Sequence, residues 1–169
     1  MAAIQDNLLD WLRDAHAMEK QAETMLSSTA ERLENYPELR AKLEEHCEET
    51  RQQGLLLSQC LERLGEDPST MKDVIGKTMA TAQGFSGVFA ADEVVKAAMA
   101  SYTFEHMEIA AYRTLIAAAE AAGDAETKRI CEFILPQEVA MAKWLDEHLP
   151  QVTQQFLQRD SDPDVKAKR

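Results

Sequence analysis

Residues 101–149 read SYTFEHMEIAAYRTLIAAAEAAGDAETKRICEFILPQEVAMAKWLDEHL. Apolar side chains recur there at alternating steps of three and four, the spacing that keeps one stripe of a helix facing inward. Before Gly123 the stripe is Ala98, Ser101, Glu105, Glu108, Tyr112, Leu115, Ala119 and Ala122; after it come Cys131, Ile134, Glu138, Met141 and Leu145. Gly123 suits a left-handed helix C-cap and Asp124 an N-cap, so the pattern predicts two long helices turning back on each other. Both inner stripes carry acids where apolar residues belong. Glu108 stands about 15 residues before the turn and Glu138 about 15 after it, which at 1.5 Å per residue puts them at one height.

The first half of the chain has the same design. A periodic run from about residue 4 to residue 34 carries the stripe Leu8, Leu12, Ala15, Glu19, Ala22, Leu26, Thr29 and Leu33. It stops before Asn35-Tyr36-Pro37, where Pro37 fits the first turn of a second helix ending near Leu64, with Gly65 as its cap. That helix shows Leu39, Leu43, His46, Thr50, Gln53, Leu57, Cys60 and Leu64, with Glu49 flanking the seam. Counted from a turn near Tyr36, Glu19 and Glu49 differ by about 6 Å in height, one helical turn.

Between the hairpins, Asp67-Pro68 offers the start of a short helix over about 69–83, and GFSGVF at 84–89 breaks it before the third long helix. Two antiparallel helical hairpins joined by one long crossover is ferritin-like connectivity; an up-down-up-down bundle needs no such connection. The expected fold is therefore an all-α ferritin-like four-helix bundle over residues 1–157. Pro150 is expected to end the last helix near Leu149, and residues 158–169 to form a flexible C-terminal tail.

Composition agrees with one helical domain. The 169 residues include only 6 Gly and 5 Pro, and the length suits a single core. With 18 Lys plus Arg against 30 Asp plus Glu, the net charge is −12, which argues against nucleic acid and anionic membrane as partners. Cys47, Cys60 and Cys131 are odd in number and lack metal-site spacing; as small hydrophobes in helices they suit a reducing compartment. The N-terminus has no basic region followed by an apolar run, and no stretch approaches the roughly 18 apolar residues of a membrane span. A cytoplasmic location is expected.

Carboxylates gathered at the middle of a bundle, with no Lys or Arg on the seams, repel one another and lose hydration worth several kcal/mol each. Protons would relieve them by raising their pKa values. Divalent ions relieve them better, because several carboxylates with an imidazole form the oxygen-rich set that iron or manganese accepts.

The segments HAMEKQAE around Glu19, EEHCEETRQQ, FEHMEIAAY and LPQEVAMAKWL, with the opening WLRDAHAMEKQ and NYPELRAKLEEH, resemble the YciE/YciF stress-associated ferritin-like family, in particular its YciE branch, up to about Leu157. The resemblance implies a homodimer, a dinuclear metal site and a link to bacterial stress responses, without specifying a reaction. It implies as metal ligands Glu19, His46, Glu49, Glu105, Glu108 and Glu138, and as cofactors two divalent metal ions, iron first, with manganese or zinc as alternatives. Two departures bear on this. Glu49 and Glu138 are followed three residues on by Gln52 and Met141, not by the histidines of a Glu-x-x-His motif, and Ala142 stands where relatives are expected to carry a further acid. A weaker or partly vacant second metal position follows.

Other candidates have plainer readings. His16 fits a satisfied helix histidine, His106 should point off the seam, and His148 complements a helix end. Tyr112 reads first as a core aromatic, with hydrogen bonding to a ligand carboxylate as the alternative. Pro136 is either a kink that aims Glu138 or a tolerated one. The first functional expectation is a di-metal carboxylate protein handling iron, dioxygen or peroxide, with Glu49 and Glu108 or Glu138 bridging the ions. The rival is a non-enzymatic helical dimer or stress scaffold with a vestigial or structural metal site.

Overall fold

The computed structural model describes residues 2–66, 92–162 and 164–167. Among them are four helices and no strand: α1 (Ala2–Arg32), α2 (Pro37–Arg63), α3 (Glu93–Ala122) and α4 (Ala125–Asp160). The short helix expected over 69–83 and the break at 84–89 lie outside the described residues.

Each turn is set by the residues expected to set it. Pro37 opens α2, where its missing N–H costs nothing. Gly65 and Gly123 have φ of +90° and +72°, a left-handed conformation that a side chain would strain. Asp124 accepts from the Thr127 backbone N–H at 3.2 Å, capping α4. Its carboxylate also receives Arg63 from the end of α2 at 2.6 Å, which ties the two hairpins together. The densest packing is within the hairpins, α1 on α2 and α3 on α4; α1 also packs on α3, while α2 and α4 touch least of the four packed pairs.

The stripes fall inside almost as read. All seven named positions of α1, Leu33 just after it, and all five of α4 are buried. At the end of α2 the stripe drifts, so that Leu61 is buried while Leu64, the residue after the helix, is exposed; a helix repeats at 3.6 residues, not 3.5, and seven steps accumulate the difference. Leu8, Leu12, Leu57, Leu61 and Leu115, and likewise Leu26, Leu43 and Leu145, are fully buried. The polar side chains Glu19, His46, Gln53, Glu105, Glu108 and Glu138 are buried as well.

The expectation that Pro150 ends the last helix is corrected: α4 continues through Pro136 and Pro150 to Asp160. A proline removes one helix hydrogen bond and crowds the preceding turn, but here Val152 and Phe156 beyond it are buried, and Gln151 donates to Glu38 at 2.9 Å. Packing on the α1–α2 turn outweighs the local defect. Further on, the Tyr36 hydroxyl donates to the Ala167 carbonyl at 2.6 Å, and Arg159 reaches the Lys166 carbonyl.

Candidate metal centre

His46 of α2, Glu105 and Glu108 of α3 and Glu138 of α4 each offer one ligand atom, and these four atoms lie within 4.8 Å of one another. Donors around a common ion at roughly 2.0–2.6 Å stand within about 4–5 Å of each other. All four residues are buried.

The hydrogen-bond accounting of this cluster does not close. His46 Nε2, Glu105 Oε2, both oxygens of Glu108 and Glu138 Oε2 have no hydrogen-bond partner, nor do Glu19 Oε2 and Gln53 Oε1. Buried polar atoms are almost always satisfied, so this many orphans at one place mark a space shaped for something that accepts electron pairs. His46 Nε2 is 3.1 Å from Glu105 Oε2 and 3.5 Å from Glu138 Oε2, close enough for charge attraction but without hydrogen-bond alignment.

The protonation pattern has the same origin. Burial, reinforced by Glu138 and opposed by Tyr112, pushes the Glu19 carboxyl up to about 8. Glu105 is pushed up to about 7 by burial against the pull of His46, and burial with three acidic neighbours drives Glu108 well above the carboxylate range. Burial alone would lower His46, but Glu105 and Glu138 overcome it and hold the imidazole up to about 11. Without a metal, protons on these groups offset the charge.

Glu49 does not join the four. Its side chain is 35% exposed, and its Oε2 meets His46 Nδ1 at 2.8 Å, on the far side of the ring. It orients the imidazole so that Nε2 faces Glu105 and Glu138, the usual role of a carboxylate behind a metal-binding histidine. Glu19 is buried next to the four, near enough to interact with Glu108 and Glu138; the Tyr112 hydroxyl donates to its Oε1. The one-turn offset counted from sequence holds: Glu19 lies at the height of Gly54, whose Cβ would be 3.8 Å from that of Glu19.

Two residues matter more than their sequence suggested. Tyr112 is fully buried, as a core aromatic should be, yet its hydroxyl serves Glu19. Gln53 was legible only as a polar position on the α2 stripe; its amide donates to Glu138 Oε1 and, at 2.8 Å, to Gln137 Oε1. The other histidines stay outside the cluster. His16 is buried and lowered by that burial and by Lys20, His106 packs edge-on against Tyr102, and His148 stacks on Trp144 at 3.9 Å. Among the described residues no helix is long and apolar enough to cross a membrane.

Comparison with known proteins agrees with this architecture. A crystal structure from Xanthomonas campestris pv. campestris is 43% identical, with 94% of this chain and 99% of that one covered and a TM-score of 0.78. YcfI of Rhodopseudomonas palustris is 31% identical over 85% of this chain and 92% of its own, with a TM-score of 0.67. The crystal structure of the Escherichia coli stress protein YciF aligns with a TM-score of 0.67 over 88% of this chain and 96% of that one; at 24% identity it speaks for the fold. The model of a family described as a domain of unknown function, DUF892, matches residues 3–158. The YciE/YciF resemblance carried by the motifs is thereby borne out, and the chain belongs to the DUF892 family.

Proposed function

We propose that this chain is a carboxylate-bridged metal protein that binds two divalent ions, iron in the first place, and handles dioxygen or peroxide in a stress response. The observation that carries the proposal is the set of unpartnered donor atoms converging from four helices in the bundle interior. Two redox-active ions, if held by these residues, would supply the electrons that reduction of dioxygen or peroxide needs. The residues of the chain do the rest. His46, Glu105, Glu108 and Glu138 form the first position, and Glu49 fixes the His46 ring. Glu108, with both oxygens free, and Glu19, held by Tyr112, extend the donor set toward a second. Leucine layers exclude water, so each carboxylate interacts more strongly with a cation than it would in solvent.

The scaffold alternative draws on two features: Glu49 faces outward, and Ala142 occupies the place of an expected acid. Elemental analysis of the purified protein, followed by ferrous-dependent oxygen consumption, separates the readings. Two ions per chain with turnover supports the first; one ion or none, without turnover, replaces it with a structural site. The proposal includes a homodimer, which light scattering tests directly, and takes neither nucleic acid nor membrane as a partner.

A further inference from the structure

The sparse packing of α2 against α4 leaves a groove of about 640 Å³ between them. Glu49, Gln52, Gln53, Leu55, Phe133 and Gln137 are among the residues that line it. Leu55 and Phe133 form an exposed apolar rim. Two other acids at the groove already have cations: Glu45 pairs with Lys42 and Glu48 with Arg51. Negative charge at the rim therefore does not by itself mark the place.

Gln53 marks it. This side chain is 1% exposed, lines the groove, and keeps an unpartnered Oε1. Its Nε2 reaches both ways, to Gln137 among the lining residues and to Glu138 in the cluster. Both contacts belong to one side chain, so the amide stands between the groove and Glu138 Oε1. Glu49 also lines the groove, with one oxygen on His46 Nδ1, so a carboxylate and an amide carbonyl stand between the groove and the ligand set.

We infer that the α2–α4 groove is the route by which divalent cations enter the bundle, with Glu49 receiving the ion and the Gln53 amide acting as the door. The inference rests on the metal-binding reading above. Oxygen donors in sequence suit a hydrated cation that must exchange its waters one at a time.

The test is the rate of Co²⁺ uptake by the full chain, followed by stopped-flow absorbance. Leu55→Cys, exposed at the rim, is modified with a bulky maleimide; Met99→Cys, exposed on α3 away from the groove, carries the same label as control. The native Cys47, Cys60 and Cys131 are buried, and burial raises each thiol, so labelling is selective. The labelled Leu55→Cys protein is expected to load about tenfold more slowly, within the range over which single changes alter association rates, and to reach the same final cobalt content. Gln53→Ala is expected to accelerate uptake and release together, as removal of a door does; acceleration of release alone marks Gln53 as merely a support for Glu138 and overturns its role. Equal rates for the two labelled proteins overturn the route while leaving metal binding intact. No uptake by the unmodified protein overturns the metal reading and the route together.

Discussion

Glu108 has the most exacting environment in the molecule: fully buried, both oxygens without partners, and a carboxyl driven well above its usual range by burial and three acids. Glu108→Gln keeps the shape and removes the ionisable group. It is expected to lower metal content while raising the stability of the metal-free protein at pH 8 by about 1–4 kcal/mol, because the folded chain then no longer has to hold on Glu108 a proton that the unfolded chain releases; elemental analysis and denaturation in chelator measure the two effects. Tyr112→Phe has the opposite sign in the metal-free protein. It removes the donor to Glu19 and leaves that carboxyl with no partner, a loss of about 1–3 kcal/mol. The pH dependence follows from the same groups. Glu19 and Glu105 are raised from an ordinary 4.5 to about 8 and about 7, so between those limits the folded protein holds protons that the unfolded chain releases. Stability of the metal-free form therefore falls as pH rises from about 4.5 toward 8. His46, raised to about 11, adds stability that is full below about 6.5 and is lost as pH rises through 11, the same sign. A metal ion bound by these residues would displace the protons and so bind more tightly as pH rises. Melts with and without metal should therefore diverge steadily between pH 5.5 and 8, and a constant gap would show that the buried acids are not the ligands.

At the scale of the element, α4 shows how packing overrules a local breaker. Pro150 marks the end of a helix by every local criterion, yet α4 runs to Asp160 because Phe156 and Val152 have a surface to cover. Phe156→Ala is expected to cost about 3–5 kcal/mol, while Leu157→Ala, at an exposed neighbour, stays within about 0.5 kcal/mol. Chemical denaturation of the pair gives the comparison, and similar values for both would mean that α4 frays after Pro150. On α2 the lesson is rotational. His46, Thr50 and Gln53 face inward, which turns Glu49 toward solvent behind the imidazole. Adjacent residues on a helix point about 100° apart, so a position beside the seam can serve as a ligand or as the support of one. Periodicity does not separate these roles.

At the scale of the whole molecule, two well-packed hairpins meet around a layer that is polar only in its middle. A metal ion held by this layer would make occupancy a term in global stability, because the cluster exists only in the folded chain. Saturation at about 100 times the dissociation constant should add about 2.7 kcal/mol, read as a rise in melting temperature that a chelator reverses. The Arg63–Asp124 link between the hairpins and the Tyr36–Ala167 contact at the opposite end hold the helices at their heights whether or not the ion is present.

Repetition at three and four residues, the caps at Gly65, Gly123 and Asp124, and the length of the crossover were enough for the all-α class, the two hairpins and the burial of Glu19, His46, Glu105, Glu108 and Glu138. These properties are written locally, in which side chains share a helix face and how far each lies from a turn. The outward turn of Glu49, the continuation of α4 past Pro150, the service of Tyr112 to Glu19 and the opening above Gln53 were decided by how the helices rotate and separate on assembly. That choice minimises exposed apolar surface over the whole bundle at once, and no single helix carries the information that fixes it.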